Sequence, residues 1–279
     1  MGDAAGRSAA FRRLHESGCF VLPNPWDVGS ARLLESLGFA ALATTSSGLA
    51  WSLGRPDNRV TLAQALEHFE AIAGSVAIPV NADFEGGFAV APEDVAENVR
   101  RAAATGIAGL SVEDSTGDAA SPLHDFALSV ERVRAARRAL DAGAPGIVLT
   151  ARSEGFIVGR PDLTETIRRL TAYADAGADC LYAPGLRDLG DVRAVVGAVA
   201  PRPVNVLAGD FATVAQLAAA GVRRVSVGGA LARAAWTGFL AAARELADRG
   251  TFGGLSGIVS TSAMNAAFSG GRPTGALRG

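Results

Sequence analysis

The sequence predicts a single (β/α)8 barrel of the TIM type with an extra C-terminal helix. Eight short apolar runs recur along the 279-residue chain, and a stretch of helical periodicity follows each. The runs are apolar throughout, as in a parallel sheet buried on both faces. Glycine closes many of the helical stretches. Eight such units within about 230 residues suit a closed barrel. A doubly wound open sheet competes with this reading, but no G-x-G-x-x-G follows the first run.

The elements follow in order. Cys19 to Asn24 is the first strand, and Asp27 caps a helix over Val28 to Leu37. Phe39 to Thr44 is the second strand, entering a polar loop, Thr45 to Gly48, and a long excursion, Leu49 to Arg59. Thr61 caps a helix reaching about Gly74, and strand three is Pro79 to Asp83. Pro92 opens the next helix, which leads to strand four, Ile107 to Val112. A loop, Thr116 to Asp125, and an arginine-rich helix precede strand five, Gly146 to Ala151. The helix Asp162 to Ala176 leads to strand six, Asp179 to Ala183, and the helix Leu189 to Val199 to strand seven, Pro203 to Leu207. The helix Thr213 to Ala220, strand eight, Val222 to Val227, and a long helix, Ala230 to Arg249, complete the repeat. The domain spans 1–279, with a Gly- and Ser-rich tail over about 250–279 that carries one amphipathic stretch, Leu255 to Phe268.

Composition narrows the function. Hydrophobic residues make up 49% and charged residues 19%, enough for a substantial core. A formal charge of -2 gives no electrostatic reason for nucleic-acid or membrane binding. No apolar run reaches transmembrane length and the N-terminus has no signal-peptide core, so the cytoplasm is the expected compartment. Cys19 and Cys180 lie in apolar stretches and read as buried thiols. The chain contains no lysine, and all 26 basic residues are arginine. A lysine Schiff base is therefore excluded, and carbanion chemistry would need a metal or another electron sink.

In such barrels the active site lies at the C-terminal ends of the strands. Asp83 and Glu85 stand two apart at the end of strand three, so they share a face and can point at one hard cation, Mg2+ or Mn2+. Asp57, Glu113, Asp114 and Glu154 add carboxylates at the same mouth. So many acids repel one another unless a cation is present, although each alone could be a helix cap or a salt bridge. Asp114 is the weakest member, since it can face away from Glu113. Arg152 leaves an apolar strand and can pair with Glu154 or Glu113, or serve as a planar fork for a substrate anion. Ser47 and Gly48 offer a hydroxyl and backbone N–H groups, or a plain turn; toward their C-terminal ends strand six gives Tyr182 and strand seven Asn205.

The segments Asn24-Pro25-Trp26-Asp27, Ser47-Gly48-Leu49, Arg55-Pro56-Asp57, Asp83-Phe84-Glu85-Gly86-Gly87, Val112-Glu113-Asp114 and Ala151-Arg152-Ser153-Glu154 occur in this order. Together they resemble the isocitrate lyase / phosphoenolpyruvate mutase superfamily over about residues 10–268. The resemblance implies a barrel that binds Mg2+ and a 2-oxo acid, and an oligomer, dimer or tetramer, in which C-terminal helices swap. It implies that Asp83 is a direct metal ligand and that Glu85 stands where most members have a second Asp. Asp57 and Glu113 resemble the acids that hold metal-bound waters. Ser47, Gly48 and Leu49 resemble the loop receiving the substrate carboxylate, and Arg152 the arginine gripping its other anionic end.

Two departures bear on the reaction. Lyases of the superfamily carry a Lys-Lys-Cys-Gly-His loop after the fourth strand, and mutases a gate bearing Lys and Asn. Here Ser115 to Asp125 has neither Lys nor Cys and reads as a shortened loop, with Thr116-Gly117-Asp118 and His124 in its place. The reading that remains is a Mg2+-dependent lyase acting on a small 2-oxo acid, with oxaloacetate-like decarboxylation or C–C cleavage. Ser47, Arg152 and Tyr182 are its candidate catalytic residues, and Ser47, Gly48, Leu49, Arg152 and Asn205 its substrate contacts. Cleavage of a C–P bond in a phosphonate and a catalytically silent 2-oxo acid-binding barrel are the alternatives.

Overall fold

The computed structural model describes residues 4–269. Eight parallel strands form the sheet: β1 (Phe20–Leu22), β2 (Leu42–Ala43), β3 (Val80–Asp83), β4 (Gly109–Glu113), β5 (Val148–Arg152), β6 (Cys180–Tyr182), β7 (Val204–Leu207) and β8 (Arg224–Ser226). Their order, β1-β8-β7-β6-β5-β4-β3-β2, leaves β1 and β2 at the two ends. The Ala43 N–H donates to the Pro23 carbonyl at 3.0 Å across that gap. The Asn24 side chain donates to the Thr44 carbonyl and accepts from the Val227 and Gly228 N–H groups, tying the ends of β1, β2 and β8 together. The barrel is thus nearly closed, with its helices outside.

Side-chain caps start most of these helices. Asp27 and Ser30 form a capping box on α2 (Val28–Ser36), as Thr61 and Gln64 do on α4 (Leu62–Ser75). Two helices have no counterpart in the sequence reading. The first, α1 (Ala4–Leu14), precedes β1. Its Phe11 is fully buried and packs with Leu22, Ala41, Ala43, Ala108, Val148 and Cys180 inside the barrel. Arg12 donates to the Pro145, Gly146 and Ile147 carbonyls and pairs with Asp179, so α1 plugs the end from which the strands start. The second, α3 (Ser46–Ser52), replaces the expected loop Thr45 to Gly48, because the Thr45 hydroxyl accepts from the Gly48 N–H and caps a helical turn.

The remaining helices are α5 (Pro92–Ala103), α6 (Phe126–Gly143), α7 (Leu163–Asp175), α8 (Leu189–Val199), α9 (Val214–Ala219), α10 (Ala230–Arg249) and α11 (Thr261–Phe268). Ala232 is the one buried residue of α10. Trp236, Phe239, Phe252 and Ile258 are exposed on α10 and the segment after it. The tail helix α11 is shorter than the stretch Leu255 to Phe268 and returns to its own barrel, where Arg32 donates to the Phe268 carbonyl at 2.7 Å. The last part of the expected tail, 270–279, lies outside the described residues. Among the described residues no helix is long and apolar enough to cross a membrane.

Candidate active site

β3 delivers Asp83 to the mouth. The Asp83 N–H donates to the Thr44 hydroxyl at 2.9 Å, and its Oδ2 accepts from both the N–H and the Oγ of Ser46 at 2.9 Å. These donors fix the carboxylate before any ligand arrives. Glu85 does not continue the strand. β3 ends at Asp83, and Glu85 has a φ of +46° in the turn that follows. The expectation that both acids share one strand face is therefore corrected. The cause is local packing. Phe84 is fully buried against Phe69 and Phe88, and the Gly87 N–H closes the turn onto the Phe84 carbonyl. Arg132 donates to the Gly86, Ala89 and Glu113 carbonyls and holds the turn to β4. Positive φ is costly for a non-glycine residue, so this turn is strained at the acidic site.

Arg152 is the centre of the acidic set. Its Nη1 pairs with Asp83 at 2.6 Å, its Nη2 with Glu113 at 3.0 Å and its Nε with Glu154 at 2.9 Å. The guanidinium also lies over the Tyr182 ring, 5.3 Å from its centre. Burial opposes its charge, but the carboxylates of Glu113, Glu154 and Asp83 outweigh it and hold the guanidinium well above its ordinary pKa. Of the two readings of Arg152, the ion-pair partners are present, and all three nitrogens are taken.

Five carboxylates surround this one cation. Burial, then the charges of Asp83 and Asp57, pushes the Glu85 carboxyl up to about 8. Burial raises Asp57 as well, with Asp83 adding to the shift. Glu113 is raised well above the ordinary carboxylate value by burial, which the Arg152 charge only partly offsets. Among the described residues no hydrogen bond or ion pair reaches the Glu85 carboxylate. The cluster holds more negative charge than one guanidinium neutralises, so it attracts protons or a cation. Its hard oxygen donors suit Mg2+ or Mn2+. Among the described residues no three His, Cys, Asp or Glu side chains are gathered to hold an ion by themselves. By charge and donor type alone, the set suits a divalent ion that keeps several of its waters.

Two cavities flank this cluster. One, of about 150 Å3, is lined by Ser46, Ser47, Asp57, Asp83, Arg152, Glu154 and Tyr182 at the mouth and by Asn81, Asn205 and Arg224 deeper in the barrel. The other, of about 310 Å3, is lined by Glu85, Glu113, His124 and Arg132. Ser47 Oγ lies 3.0 Å from the Thr45 hydroxyl on the wall of the first cavity. Gly48 and Leu49 are buried behind it, and their N–H groups bond to Thr45 within α3. Their backbone is thus not offered to a ligand, which corrects the loop reading of that segment. Burial pushes the Tyr182 hydroxyl up to about 12, so it stays protonated. Asn205 Nδ2 donates to Ser226, and its Oδ1 accepts from Arg224. Asp114 faces away from Glu113, accepting from Tyr173, Arg169 and the Glu154 N–H.

The segment after β4 is a closed turn. Ser115 bridges Leu123, and the Thr116 N–H donates to the Pro122 carbonyl at 3.0 Å. Burial, then the Arg132 charge, lowers the His124 pKa, so the imidazole is neutral. Two contributors had no assigned role in the sequence reading. Ser46 lies in the polar run Thr45 to Gly48 and has no signal of its own in the sequence. Arg224 carried a signal, because it alternates with Ser226 in the apolar run Val222 to Val227.

Comparison with known proteins gives a consistent set. Residues 11–247 match the model of the phosphoenolpyruvate phosphomutase family. An uncharacterized protein of Mycobacterium tuberculosis is 34% identical over 86% of this chain and 89% of its own. The oxaloacetate decarboxylase of Bradyrhizobium diazoefficiens is 29% identical over 65% of this chain and 64% of its own. A Burkholderia cenocepacia J2315 protein classed provisionally as a lyase/mutase superposes with a TM-score of 0.94 at 47% identity, covering 97% of this chain and 99% of that one. Oxaloacetate acetylhydrolase bound to its product oxalate superposes with a TM-score of 0.85 at 27% identity, over 96% of both chains. Phosphonopyruvate hydrolase with oxalate and Mg2+ does so with 0.84 at 25% identity, over 95% of both.

Proposed function

Because the chain belongs to the phosphoenolpyruvate phosphomutase family, we propose that it is a divalent-metal-dependent lyase acting on a small 2-oxo acid, by oxaloacetate-like decarboxylation or by C–C cleavage. The observation that carries this reading is the surplus of carboxylates around Arg152. Asp57, Asp83, Glu85 and Glu113 would hold Mg2+, or Mn2+, directly or through its waters. When bound, the ion would act as a Lewis acid toward charge developing on the keto oxygen.

The residues of the chain do the rest. Ser46 fixes the Asp83 carboxylate through two hydrogen bonds. Arg152 keeps Asp83, Glu113 and Glu154 in register and places positive charge beside the reacting end of the acid. Ser47 Oγ lines the same wall and can donate to the substrate carboxylate. The protonated Tyr182 hydroxyl lines the cavity on the other side and is a donor toward developing negative charge. Asn205 contributes through its hold on Arg224. The exposed apolar residues of α10 support a homo-oligomer, dimer or tetramer.

The test is turnover of oxaloacetate by the purified protein, with Mg2+ and with EDTA, reading pyruvate, oxalate and acetate. The uncatalysed metal-promoted decay is subtracted. We expect turnover that requires the metal and falls at least about a hundredfold in Asp83→Asn. Turnover that is equal in EDTA, or retained by Asp83→Asn, overturns the metal-lyase reading. A second substrate class is checked in parallel, since phosphonopyruvate offers the same keto-acid end; release of inorganic phosphate from it would move the reading to C–P cleavage. Binding of 2-oxo acids without turnover of any would leave the silent barrel.

A further inference from the structure

The larger cavity beside the acidic cluster, of about 310 Å3, is walled by Asn58, by the turn after β3 and by the closed turn after β4. Among the described residues, the non-glycine residues with positive φ are Asn58, Glu85 and Phe88, at 59°, 46° and 55°, and all three line this cavity. Asparagine adopts that conformation at little cost, but Glu and Phe do not. Such strain persists only where the surrounding structure enforces it, and it concentrates at sites that bind ligands. His124 lines the same cavity, with its backbone held on both sides. Its N–H donates to the Asp114 carbonyl at 2.9 Å, and its carbonyl accepts from both terminal nitrogens of Arg169 at 3.2 Å. Among the described residues no hydrogen bond reaches its ring, which burial and the Arg132 charge keep neutral.

The lining sets what the cavity can hold. Glu85 and Glu113 bring carboxyl groups to it. Arg132, the cation on its lining, is 1% exposed, and its terminal nitrogens donate to the Gly86, Ala89 and Glu113 carbonyls. Its Nε is buried without a partner. An anion here would meet acids and no accessible cation, and desolvating it would be costly. Phe88, Ala89 and Val90 add an apolar wall, on which Val90 is 62% exposed. An uncharged fragment suits this lining; a carboxylate or phosphonate does not. The smaller cavity stands alongside. Asp57 lines the smaller one and Asn58 the larger, and Glu113 on the larger pairs with Arg152 on the smaller. Arg152 itself has all three nitrogens on carboxylates, so it presents no free fork to a second anion.

We propose that the larger cavity holds an uncharged, hydroxyl-bearing tail of the substrate and that His124 is the base that starts its cleavage. This rests on the reading of the smaller cavity as a 2-oxo acid site. The substrate class is a 4-hydroxy-2-oxo acid with an uncharged tail, cleaved to a 2-oxo acid and an aldehyde. The hydroxyl is required because an uncharged carbon leaves C3 without the bonding electrons only by becoming a carbonyl. His124 takes the proton of the C4 hydroxyl. The freed oxygen pair forms the aldehyde C=O, the C3–C4 bond breaks, and its electron pair passes to C3 and the keto oxygen as an enolate. The imidazolium then returns the proton to C3. Every atom of the substrate is in the two products, and no oxidant, reductant or water is consumed. A neutral imidazole serves both halves: it is already in the form that accepts the proton, and its conjugate acid gives the proton back.

The experiment has two readouts, both with Mg2+ present. Calorimetric titration compares 2-oxohexanoate with 2-oxoadipate, which differ in the charge of the tail and lack the hydroxyl that cleavage needs. Turnover compares 4-hydroxy-2-oxohexanoate with 4-hydroxy-2-oxoglutarate, reading pyruvate together with propanal or glyoxylate. We expect wild type to favour the uncharged tail by about tenfold in both binding and kcat/KM. His124→Gln should lower kcat for cleavage at least about a hundredfold and leave 2-oxohexanoate binding within about twofold. Val90→Arg adds a cation to the exposed part of the lining and should shift the binding preference toward 2-oxoadipate. Equal or tighter binding of 2-oxoadipate by wild type, no release of propanal, full cleavage by His124→Gln, or a preference untouched by Val90→Arg overturns the proposal. If oxaloacetate is still turned over, the 2-oxo acid reading survives that loss. If oxaloacetate is untouched and neither titrated acid binds, that reading falls and this proposal with it.

Discussion

At the scale of single residues, charge and burial decide which acids are chemical and which are structural. Glu113 and Asp114 are adjacent, yet Glu113 meets Arg152 and Asp114 meets Arg169 and Tyr173 behind the strand. Removing Asp114 strips Arg169 and Tyr173 of a shared buried acceptor. Asp114→Ala should therefore lower stability by about 3 kcal/mol, read from urea unfolding. His15 gives the pH counterpart. Burial, then the charges of Arg224 and Arg12, takes its pKa from 6.5 down to about 3, against the Phe11 carbonyl, which favours the protonated form. The unfolded chain binds a proton below 6.5 that the folded protein refuses. Stability from this group is thus complete above 6.5 and is lost as pH falls toward 3. Between pH 7.5 and 5.5 His68, lowered to about 4 by burial, adds to that decline and Glu85, raised to about 8 by burial, opposes it, so the readout is the difference between wild type and His15→Gln in thermal melts. The variant should lose less stability than wild type over this window; identical slopes would show that His15 contributes nothing to it.

At the scale of elements, periodicity made the barrel legible. All eight strands and the eight helices that follow them lie within a few residues of their expected positions, because an apolar strand and an amphipathic helix have different periods. Asp83, Glu113, Arg152 and Tyr182 were legible for a related reason, since polar residues ending apolar runs must face something; Asn205 is instead the second of four residues in β7, which corrects its placement at a strand end. What the sequence hid was conformation set by tertiary contacts. The left-handed Glu85 depends on Phe84 sinking between Phe69 and Phe88. The helix over Ser46–Ser52 begins with Thr45, Ser46 and Ser47, which favour turns as readily as caps. α1 reads AAGRSAAFRRL, and its two large apolar residues, Phe11 and Leu14, make too short a stripe to signal a core-facing helix. Its place is set instead by Gly109. A Cβ there would lie 2.6 Å from the Phe11 ring and 2.8 Å from Asn81 Oδ1. Gly109→Ala should cost about 1–3 kcal/mol by overpacking. The cost should shrink in a Phe11→Leu background if the clash is with the plug, and persist if Asn81 or the Val148 carbonyl is the obstacle.

At the scale of the whole molecule, the barrel satisfies its own core but α10 does not. Twenty residues of helix bury Ala232 alone, while Phe239 is 60% exposed and Phe252 69%. Trp236 packs edge-on against Phe239, 5.6 Å between ring centres, so these two form one aromatic patch rather than scattered exposures. Helical propensity alone rarely holds a long helix away from a core in water, and apolar patches of this kind mark contacts between proteins. A second copy of the chain is the partner that requires no other component. α11 lies on its own α2 through Arg32 and Phe268, so α10 is the better element to exchange. Light scattering should give a mass of two or four times 28.3 kDa. Phe239→Glu would place a charge in this exposed apolar patch and should shift the population to smaller species without unfolding the barrel, as far-UV circular dichroism would show. A wild-type mass of one chain would mean that α10 stands free, and its apolar face would need another partner.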